Sequence, residues 1–326
     1  MEVHHKQILD LIEIKLMISV AMTTYNAEKY LSNQLDSILA QTRQIDELVI
    51  CDDASNDATV SILNKYFLKS PFIVKIIINE KNIGYVQNFE RTMNLCSGNI
   101  IVMCDHDDIW MPDKILTLEK LFIDNPDCGM AFTDAVLVDE FGVPFQSSLW
   151  RSFFFTKKLQ KQIKKGRGGD IILVRNFVTG ATAAVAKSFF KEALPFPVTC
   201  PHDRWLATIA AIKNRLYFSN KPTIMYRKHS GQQIGSRTII EKINTEANYD
   251  ELICSSSSCF EGLNKKKLLG KKQIDICENY IKFIIFRKTI SNTFECKMII
   301  LVRFLRGDYF KYGNGFYSMA KDLLKR

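Results

Sequence analysis

The sequence predicts an α/β fold: a mostly parallel open sheet with helices on both faces, followed by a helical C-terminal segment. Three observations carry that prediction. Through the first half, short apolar β-rich runs alternate with segments whose apolar residues recur at helical spacing. Those runs are continuously apolar rather than alternating, as expected of strands covered on both sides. From Ile239 onward the pattern turns helical and basic.

The elements follow in chain order. Residues 1–15 read as an N-terminal extension in which Glu2, Asp10 and Glu13 interrupt the apolar residues, unlike a signal peptide. Leu16 to Met22 is the first strand. A helix is expected from Ala27 to Gln41, because Tyr30, Leu31, Leu35, Ile38 and Leu39 share one face, with Asn26 as its cap. Leu48 to Cys51 is the second strand, and a helix after Asp57 carries Val60, Ile62, Leu63 and Phe67. Val74 to Ile78 is the third strand, Gly84 to Cys96 a third helix and Ile100 to Cys104 the fourth strand. Past Pro112 come a helix from Lys114 to Ile123, a strand from Gly129 to Thr133 and a basic stretch, Lys157 to Gly169, that reads as a mobile loop. A strand-like run, Phe177 to Val185, precedes a helix that follows Cys200 and ends near Lys213; Ser255 to Ser258 reads as a linker.

Composition narrows the class. The 326 residues are 47% hydrophobic and 24% charged with 15 Gly and 8 Pro, which excludes a disordered or collagen-like chain. No run approaches the roughly 18 uncharged apolar residues of a spanning helix, so a cytoplasmic protein is expected. Nine Cys without a Cys-x-x-Cys pair predict reduced thiols, with neither a disulfide framework nor a zinc site. Charge is divided unevenly: residues 1–150 hold 11 Lys/Arg against 22 Asp/Glu, net −11, and residues 151–326 hold 33 against 13, net +20. An acidic half suits metal binding, and a basic half suits phosphate-bearing ligands or an anionic membrane surface. Nucleic acid is disfavoured, because the positive charge lacks aromatic interleaving.

Open α/β sheets bind ligands beyond the carboxyl ends of their strands. Here those ends lead into Thr23-Thr24-Tyr25-Asn26, Asp52-Asp53-Ala54-Ser55, Asn79 to Gly84 and Asp105-His106-Asp107-Asp108. Carboxylates crowded at a strand end repel one another and are tolerated mainly where a cation compensates them. Oxygen ligands select Mg²⁺ or Mn²⁺, which bridge carboxylates to substrate phosphates. For an isolated Asp-x-Asp, capping the next helix or turning around Pro112 would be the plainer reading, but its place after a buried strand favours the cation. Asp52-Asp53 could accept hydrogen bonds from a base or ribose, or simply form a turn. Neither Gly-x-Gly-x-x-Gly nor Gly-x-x-x-x-Gly-Lys-Ser/Thr is present, which excludes the usual dinucleotide and P-loop cradles.

These motifs, taken in order, resemble those of family 2 glycosyltransferases. The resemblance runs from Ile18-Ser19-Val20-Ala21-Met22-Thr23-Thr24-Tyr25-Asn26 through Gln41-Thr42, Asp52-Asp53-Ala54-Ser55, Asn82-Ile83-Gly84, Asn88-Phe89, Gly98 and Asp105-His106-Asp107-Asp108-Ile109-Trp110. It continues to His202-Asp203-Arg204-Trp205-Leu206, covering roughly residues 16 to 235, and Tyr226-Arg227-x-His229 looks most like the bacterial rhamnosyltransferase branch. The resemblance implies a GT-A fold, a nucleotide-diphosphate sugar donor, Mn²⁺ or Mg²⁺ as cofactor, and inversion at the anomeric carbon. It implies a catalytic domain over 16–238, with a nucleotide-sugar half to about 112 and an acceptor half from 113, and a basic helical segment over 239–326.

Carried over residue by residue, Thr23, Tyr25, Asp52, Asp53, Asn82 and Asn88 would surround the base and ribose, and Asp105, His106 and Arg227 would face the rest of the donor. Asp105 and Asp107 would form the Asp-x-Asp pair, and with His229 the metal site. Asp203 would be the general base on the acceptor hydroxyl; without the family context it reads as the cap of the following helix. The acceptor would be a saccharide or lipid-linked molecule in bacterial surface polysaccharide assembly. Rhamnose is the first donor expected; galactose, glucose, an N-acetylhexosamine, or a binding protein without turnover are the alternatives. Three positions depart from the family pattern: Ala54 for Gly, Arg204 for Trp beside the expected acceptor region, and Gln233 for Asn. Ile281 to Arg287 and Lys297 to Arg306 mix apolar and basic residues, so the last segment either contacts an anionic membrane at its cytoplasmic face or packs on the core.

Overall fold

The computed structural model describes residues 16–67, 70–229, 248–291 and 293–324. The expected N-terminal extension, Gln233 and the boundary at 238/239 lie outside the described residues.

The first half winds as its apolar runs require. β1 (Ile18–Thr24), α1 (Leu31–Leu39), β2 (Glu47–Asp52), α2 (Thr59–Phe67), β3 (Ile73–Ile78), α3 (Tyr85–Leu95) and β4 (Ile100–Cys104) alternate, and every residue of β1, β2 and β4 is buried. β5 (Ile109–Trp110), α4 (Lys114–Asp124), β6 (Met130–Val138), β7 (Pro144–Gln146), α5 (Leu149–Ser152), α6 (Lys157–Gln162) and α7 (Gly168–Ile172) follow. β8 (Ala183–Ala186), α8 (Lys187–Ala193), α9 (His202–Ile212) and β9 (Leu216–Arg227) complete the sheet region. Among the described residues the sheet runs β3-β2-β1-β4-β8-β6-β9-β5, with β7 on β6. It is parallel from β3 to β4; β8 then runs antiparallel to both β4 and β6, so the sheet is mixed beyond that point.

Alternation along β1 decides which helices cover which face. Ile18, Val20 and Met22 point into a cluster with Leu31, Leu35 and Ile38 of α1 and Ile115, Leu118 and Phe122 of α4. Ala21 points the other way, toward Phe89 and Met93 of α3 and Trp205 and Leu206 of α9. That second cluster continues into α10 (Tyr249–Lys265), α11 (Lys271–Thr289), α12 (Phe294–Leu305) and α13 (Asp308–Tyr312), which precede α14 (Phe316–Leu323). Phe283 and Ile284 are buried in it and Arg287 pairs with Asp322 at 2.7 Å, so these three residues of Ile281–Arg287 pack on the core while Ile285 stays exposed. On α12 the opposite holds: Ile300 is buried while Met298, Ile299, Leu301, Val302 and Leu305 are exposed.

Several expectations need correction. Lys157 to Gly169 is no simple loop: α6 and α7 are short helices that meet at a kink where Lys165 and Gly166 (φ 76°) leave helical geometry, with Ile163 buried and Gly168 and Gly169 letting the backbone close on Ala211 and Ile212 of α9. Ser255 to Ser258 lies inside α10, where Ser256 is fully buried and the Ser255 hydroxyl donates to the Leu252 carbonyl at 3.3 Å. Of Phe177 to Val185 only the end is strand; Gly180–Thr182 is a single 3₁₀ turn. Asn26 does not cap α1, whose cap is Tyr30; its left-handed backbone (φ 48°) instead lets its side chain accept from the Asn56 N–H at 3.0 Å. All nine cysteines are free in the structure.

Candidate functional site

Register brings the rim together. Parallel pairing sets Met22 beside Ile50 and Cys104, so the segments after β1, β2 and β4 leave the sheet side by side. β5 then pairs antiparallel with β9, Ile109 against Met225 and Trp110 against Ile224, which carries Arg227 and His229 alongside the Asp105–Asp108 loop.

The β2 end is tied inward. Asp52 is fully buried, and its carboxylate accepts from the hydroxyls of Thr24 at 2.7 Å and Ser55 at 2.6 Å and from the Ser55 N–H at 2.8 Å. Asp53 accepts from Asn79 Nδ2 at 2.7 Å and from the N–H groups of Ile83 at 2.9 Å and Gly84 at 3.0 Å. Asn82 accepts from the same Gly84 N–H at 3.0 Å, and Asn88, 1% exposed, accepts from Asn79 and donates to the Cys51 carbonyl at 2.9 Å. These side chains therefore fix the shape of the rim; Asp52 and Asn88 have no open side, in contrast to a direct ligand-binding place. Ala54 sits at φ 63°, the left-handed region where Gly would be relaxed. Tyr25, 39% exposed, is the aromatic side chain open at this rim, with Thr23 beneath it and His106 Nδ1 3.3 Å from the Thr23 carbonyl oxygen.

The acidic loop is held from below. Arg227 is fully buried: its N–H donates to Asp108 Oδ1 at 2.9 Å, its Nε to the Asp107 carbonyl at 2.8 Å and its Nη1 to the Glu140 carbonyl at 2.9 Å. Those bonds place Arg227 as a brace for the loop, with its guanidinium 4.7 Å from the Tyr30 ring centre, rather than as a group presented to a donor. His229 Nε2 lies 2.9 Å from Asp107 Oδ2. Asp203 is in the first turn of α9, one residue past the start, so it is not the cap; Pro201 is. Its carboxylate accepts from the N–H groups of Arg204 at 2.6 Å and Gly180 at 3.2 Å. Gly180 is required there, since a Cβ would lie 2.8 Å from His202 Nε2.

These carboxylates lie near enough to act on one another's ionisation. Burial, then the charges of Asp107 and Asp203, push the Asp105 carboxyl up to about 7. Asp108 is raised further by burial and by Asp107 and Asp105. Burial opposes ionisation of Asp107 too, but the hydrogen bond and charge of His229 and the charge of His106 outweigh it and hold that carboxyl below its ordinary range. Burial lifts Asp203 to about 6, which is where a general base for neutral pH should sit.

Two residues that the sequence reading passed over belong here. Lys114 is fully buried, its Nζ 4.0 Å from the Trp110 ring centre and hydrogen-bonded to the Ala181 carbonyl at 2.5 Å; burial lowers it to about 8, with Asp108 and Asp105 opposing. It is the internal counter-charge of the loop. A signal existed: Lys114 stands four residues before Leu118, on the apolar face of α4, where a solvated lysine has no place. Tyr226 is buried beneath all four carboxylates, whose charges add to burial in raising it. Arg204, expected beside the acceptor, is instead buried against Cys259 and Tyr280 of α10 and α11.

Among the described residues no group of three His, Cys, Asp or Glu is closed tightly enough to hold an ion on its own. The donor set nonetheless fits an oxygen-preferring cation: Asp107 is held below its ordinary range, His229 adjoins it, and Asp105 is raised by burial and then by the charges of Asp107 and Asp203. An open site of this kind leaves positions for substrate oxygens.

Comparison with known proteins places this geometry. Residues 19–178 match the model of glycosyl transferase family 2. The chain is 28% identical over 252 residues to the dTDP-rhamnosyl transferase RfbG of Shigella flexneri, covering 71% of this chain and 78% of that one. Uncharacterized mycobacterial proteins, including one from Mycobacterium tuberculosis, are 25% identical over 218 residues, and the match spans 59% of their length. Among solved structures, Staphylococcus aureus TarS 1-349 with UDP-GlcNAc superposes at TM-score 0.53, 17% identity, covering 93% of this chain and 90% of that one. The Pyrobaculum calidifontis mannosyltransferase PcManGT with GDP-Man and Mn²⁺ gives 0.50 at 14% identity, over 94% and 85%. Residues 19–178 belong to the family 2 glycosyltransferases, and the chain has their GT-A fold.

Proposed function

We propose that this chain is an inverting, divalent-metal-dependent glycosyltransferase that moves a sugar from a nucleoside-diphosphate donor to a hydroxyl of a saccharide or lipid-linked acceptor in bacterial surface polysaccharide assembly. The observation that carries the reading is the meeting of Asp105, Asp107, His229 and Asp203 at one rim of the sheet, where Asp107 is hydrogen-bonded to His229 and the charges of Asp107 and Asp203 act on Asp105.

Each side chain then has a task. Tyr25 offers an exposed ring to the nucleoside base, with Thr23 and the turn shaped by Asp53 and Asn82 completing that wall. Asp107, His229 and Asp105 would hold Mn²⁺ or Mg²⁺, which supplies charge neutralisation on the departing diphosphate. Arg227 and Lys114 keep the acidic loop in place from the buried side. Asp203, ionised at neutral pH, accepts the acceptor hydroxyl proton as the new glycosidic bond forms on the face opposite the leaving group. Rhamnose is the first donor to test, supported by the RfbG relative. No described helix is long and apolar enough to cross a membrane. The exposed apolar residues of α12, beside Lys297, Arg303 and Arg306, suit peripheral contact with an anionic membrane at its cytoplasmic face.

The test is release of nucleoside diphosphate from a panel of activated sugars (dTDP-rhamnose, UDP- and GDP-sugars), with and without Mn²⁺ or Mg²⁺. Metal-dependent release from one donor supports the reading and fixes the nucleotide. Absence of release and of binding with every donor overturns it.

A further inference from the structure

A groove of about 870 Å³ opens between α6–α7 and the helices α11, α13 and α14, and none of its lining residues belongs to the acidic loops. Its cationic residues are Lys158, Arg167, Arg175, Lys272 and Lys311, against Asp170 and Asp275. Asp170 is engaged by Lys272 at 2.5 Å. A second depression of about 360 Å³, lined by lysines 157, 158, 161 and 165, shares Lys158 and Gln162 with the first, so the positive surface is continuous.

The way this charge is held matters more than its amount. In a loop, six Lys and Arg between 157 and 167 would relieve their repulsion by spreading into solvent. Here the segment forms two short helices that meet at a kink at Lys165 and Gly166, and buried Ile163 with Gly168 and Gly169 pins it against α9, so its cations are carried on an ordered backbone. Among the described residues Lys158, Lys161, Lys165 and Arg167 form no ion pairs, which leaves their charge available to an anionic ligand. The opposite wall presents Phe310 and Phe316, 50% and 64% exposed, whose faces suit the C–H side of a sugar ring. Arg175, anchored by donating to the Phe310 and Gly313 carbonyls at 2.5 Å, belongs to this groove, and Gly180, which donates to Asp203, follows five residues later. That spacing puts the groove within at most ~18 Å of the residue touching the proposed base.

We infer that this groove is an acceptor subsite for a saccharide chain carrying phosphate groups, held some way from the hydroxyl that reacts. The inference rests on the glycosyltransferase reading. The cations meet the phosphates, the phenylalanine faces meet the sugar rings, and the segment 175–180 connects both to Asp203.

Inorganic polyphosphate is the probe, its binding to the full chain followed by calorimetry across a salt series, for the native sequence, Lys158→Glu with Arg167→Glu, and Lys161→Glu with Lys165→Glu. Binding at least tenfold weaker in both double variants, with a shallower salt slope and unchanged release of nucleoside diphosphate from the donor, supports the subsite. Equal affinity in all three proteins overturns it, as does competition between polyphosphate and the nucleoside diphosphate, which would put the probe at the acidic rim. Binding of phosphatidylglycerol vesicles that both double variants lose, without binding of soluble polyphosphate, also overturns it and assigns the groove to lipid headgroups. Polyphosphate binding by a chain that hydrolyses no donor would overturn the acceptor role and the proposed function together, whereas donor hydrolysis without polyphosphate binding overturns only the groove.

Discussion

Replacing Asp203 tests the chemistry through one atom. In the structure its carboxyl is lifted to about 6, burial being the main cause and the N–H groups of Arg204 and Gly180 opposing it. A base must be ionised, so activity is expected above that value and is lost as pH falls through it. With a value near 6, the ionised fraction drops from about nine-tenths at pH 7 to about one-tenth at pH 5, so kcat/KM should fall roughly tenfold over that range, the slope approaching one only below pH 6. Unfolding does not enter at that pH through Glu47: its carboxyl, ordinarily 4.5, is held at about 2, so the stability it contributes is complete above 4.5 and fades between 4.5 and 2. Asp203→Asn keeps the volume and an oxygen for the Gly180 N–H but cannot accept the proton. It should lower transfer about 10²- to 10⁴-fold, or ~3–5 kcal/mol of barrier, while donor affinity stays within twofold. Initial rates of nucleoside diphosphate release from pH 4.5 to 8, with donor binding by calorimetry, read both effects. A flat profile between pH 5 and 7, or a variant within tenfold of the native rate, refutes the reasoning.

Other perturbations probe the supports. Glu47 is fully buried at the far end of the sheet, accepting from Lys75 Nζ at 2.6 Å, from the Ser97 N–H and hydroxyl at 2.8 Å each, and from the Ser19 hydroxyl; Glu47→Gln should cost about 2–3 kcal/mol in urea unfolding, and a loss below about 0.5 would contradict it. Lys114→Met removes the buried counter-charge of Asp105 and Asp108 and should cost about 3 kcal/mol; a native-like melting temperature would show that the loop needs no internal cation. Gly180→Ala drives a Cβ to 2.8 Å from His202 Nε2, so transfer should fall by more than tenfold with donor binding kept, and unchanged turnover would deny Gly180 its positioning role. Ala54→Gly relieves a left-handed alanine and should stabilise by about 0.5 kcal/mol after the added chain entropy, with destabilisation as the contrary result.

What could be read in advance depended on whether one force decided the outcome. β1, β2 and β4 are buried on both faces, so hydrophobic continuity alone located them and, with them, the rim after each strand. In Lys157 to Gly169 charge density reads as solvation, whereas the two short helices there are fixed by Ile163 and by two glycines whose value appears only when α9 lies against them. The four serines of α10 read as a linker in the same way, whereas Ser256 is buried by tertiary packing that no local propensity announces. Arg227 and Asn88 were recognised as important, but their motif could not say that their donors turn inward to the Asp107 and Cys51 carbonyls. The neighbourhood of Asp203 and Asp105 joins residues almost a hundred positions apart through β8 and α9, a relation that only the fold supplies.

The most direct test of the donor site is calorimetric titration of UDP and dTDP with and without Mn²⁺, in the native protein and in Asp107→Ala. If Asp107 and His229 hold the cation against the diphosphate, Mn²⁺ should raise the affinity of the preferred nucleotide at least tenfold in the native protein and leave the variant unchanged. Equal gains in both proteins, or none in the native one, would contradict the assignment of this rim as the metal and donor site.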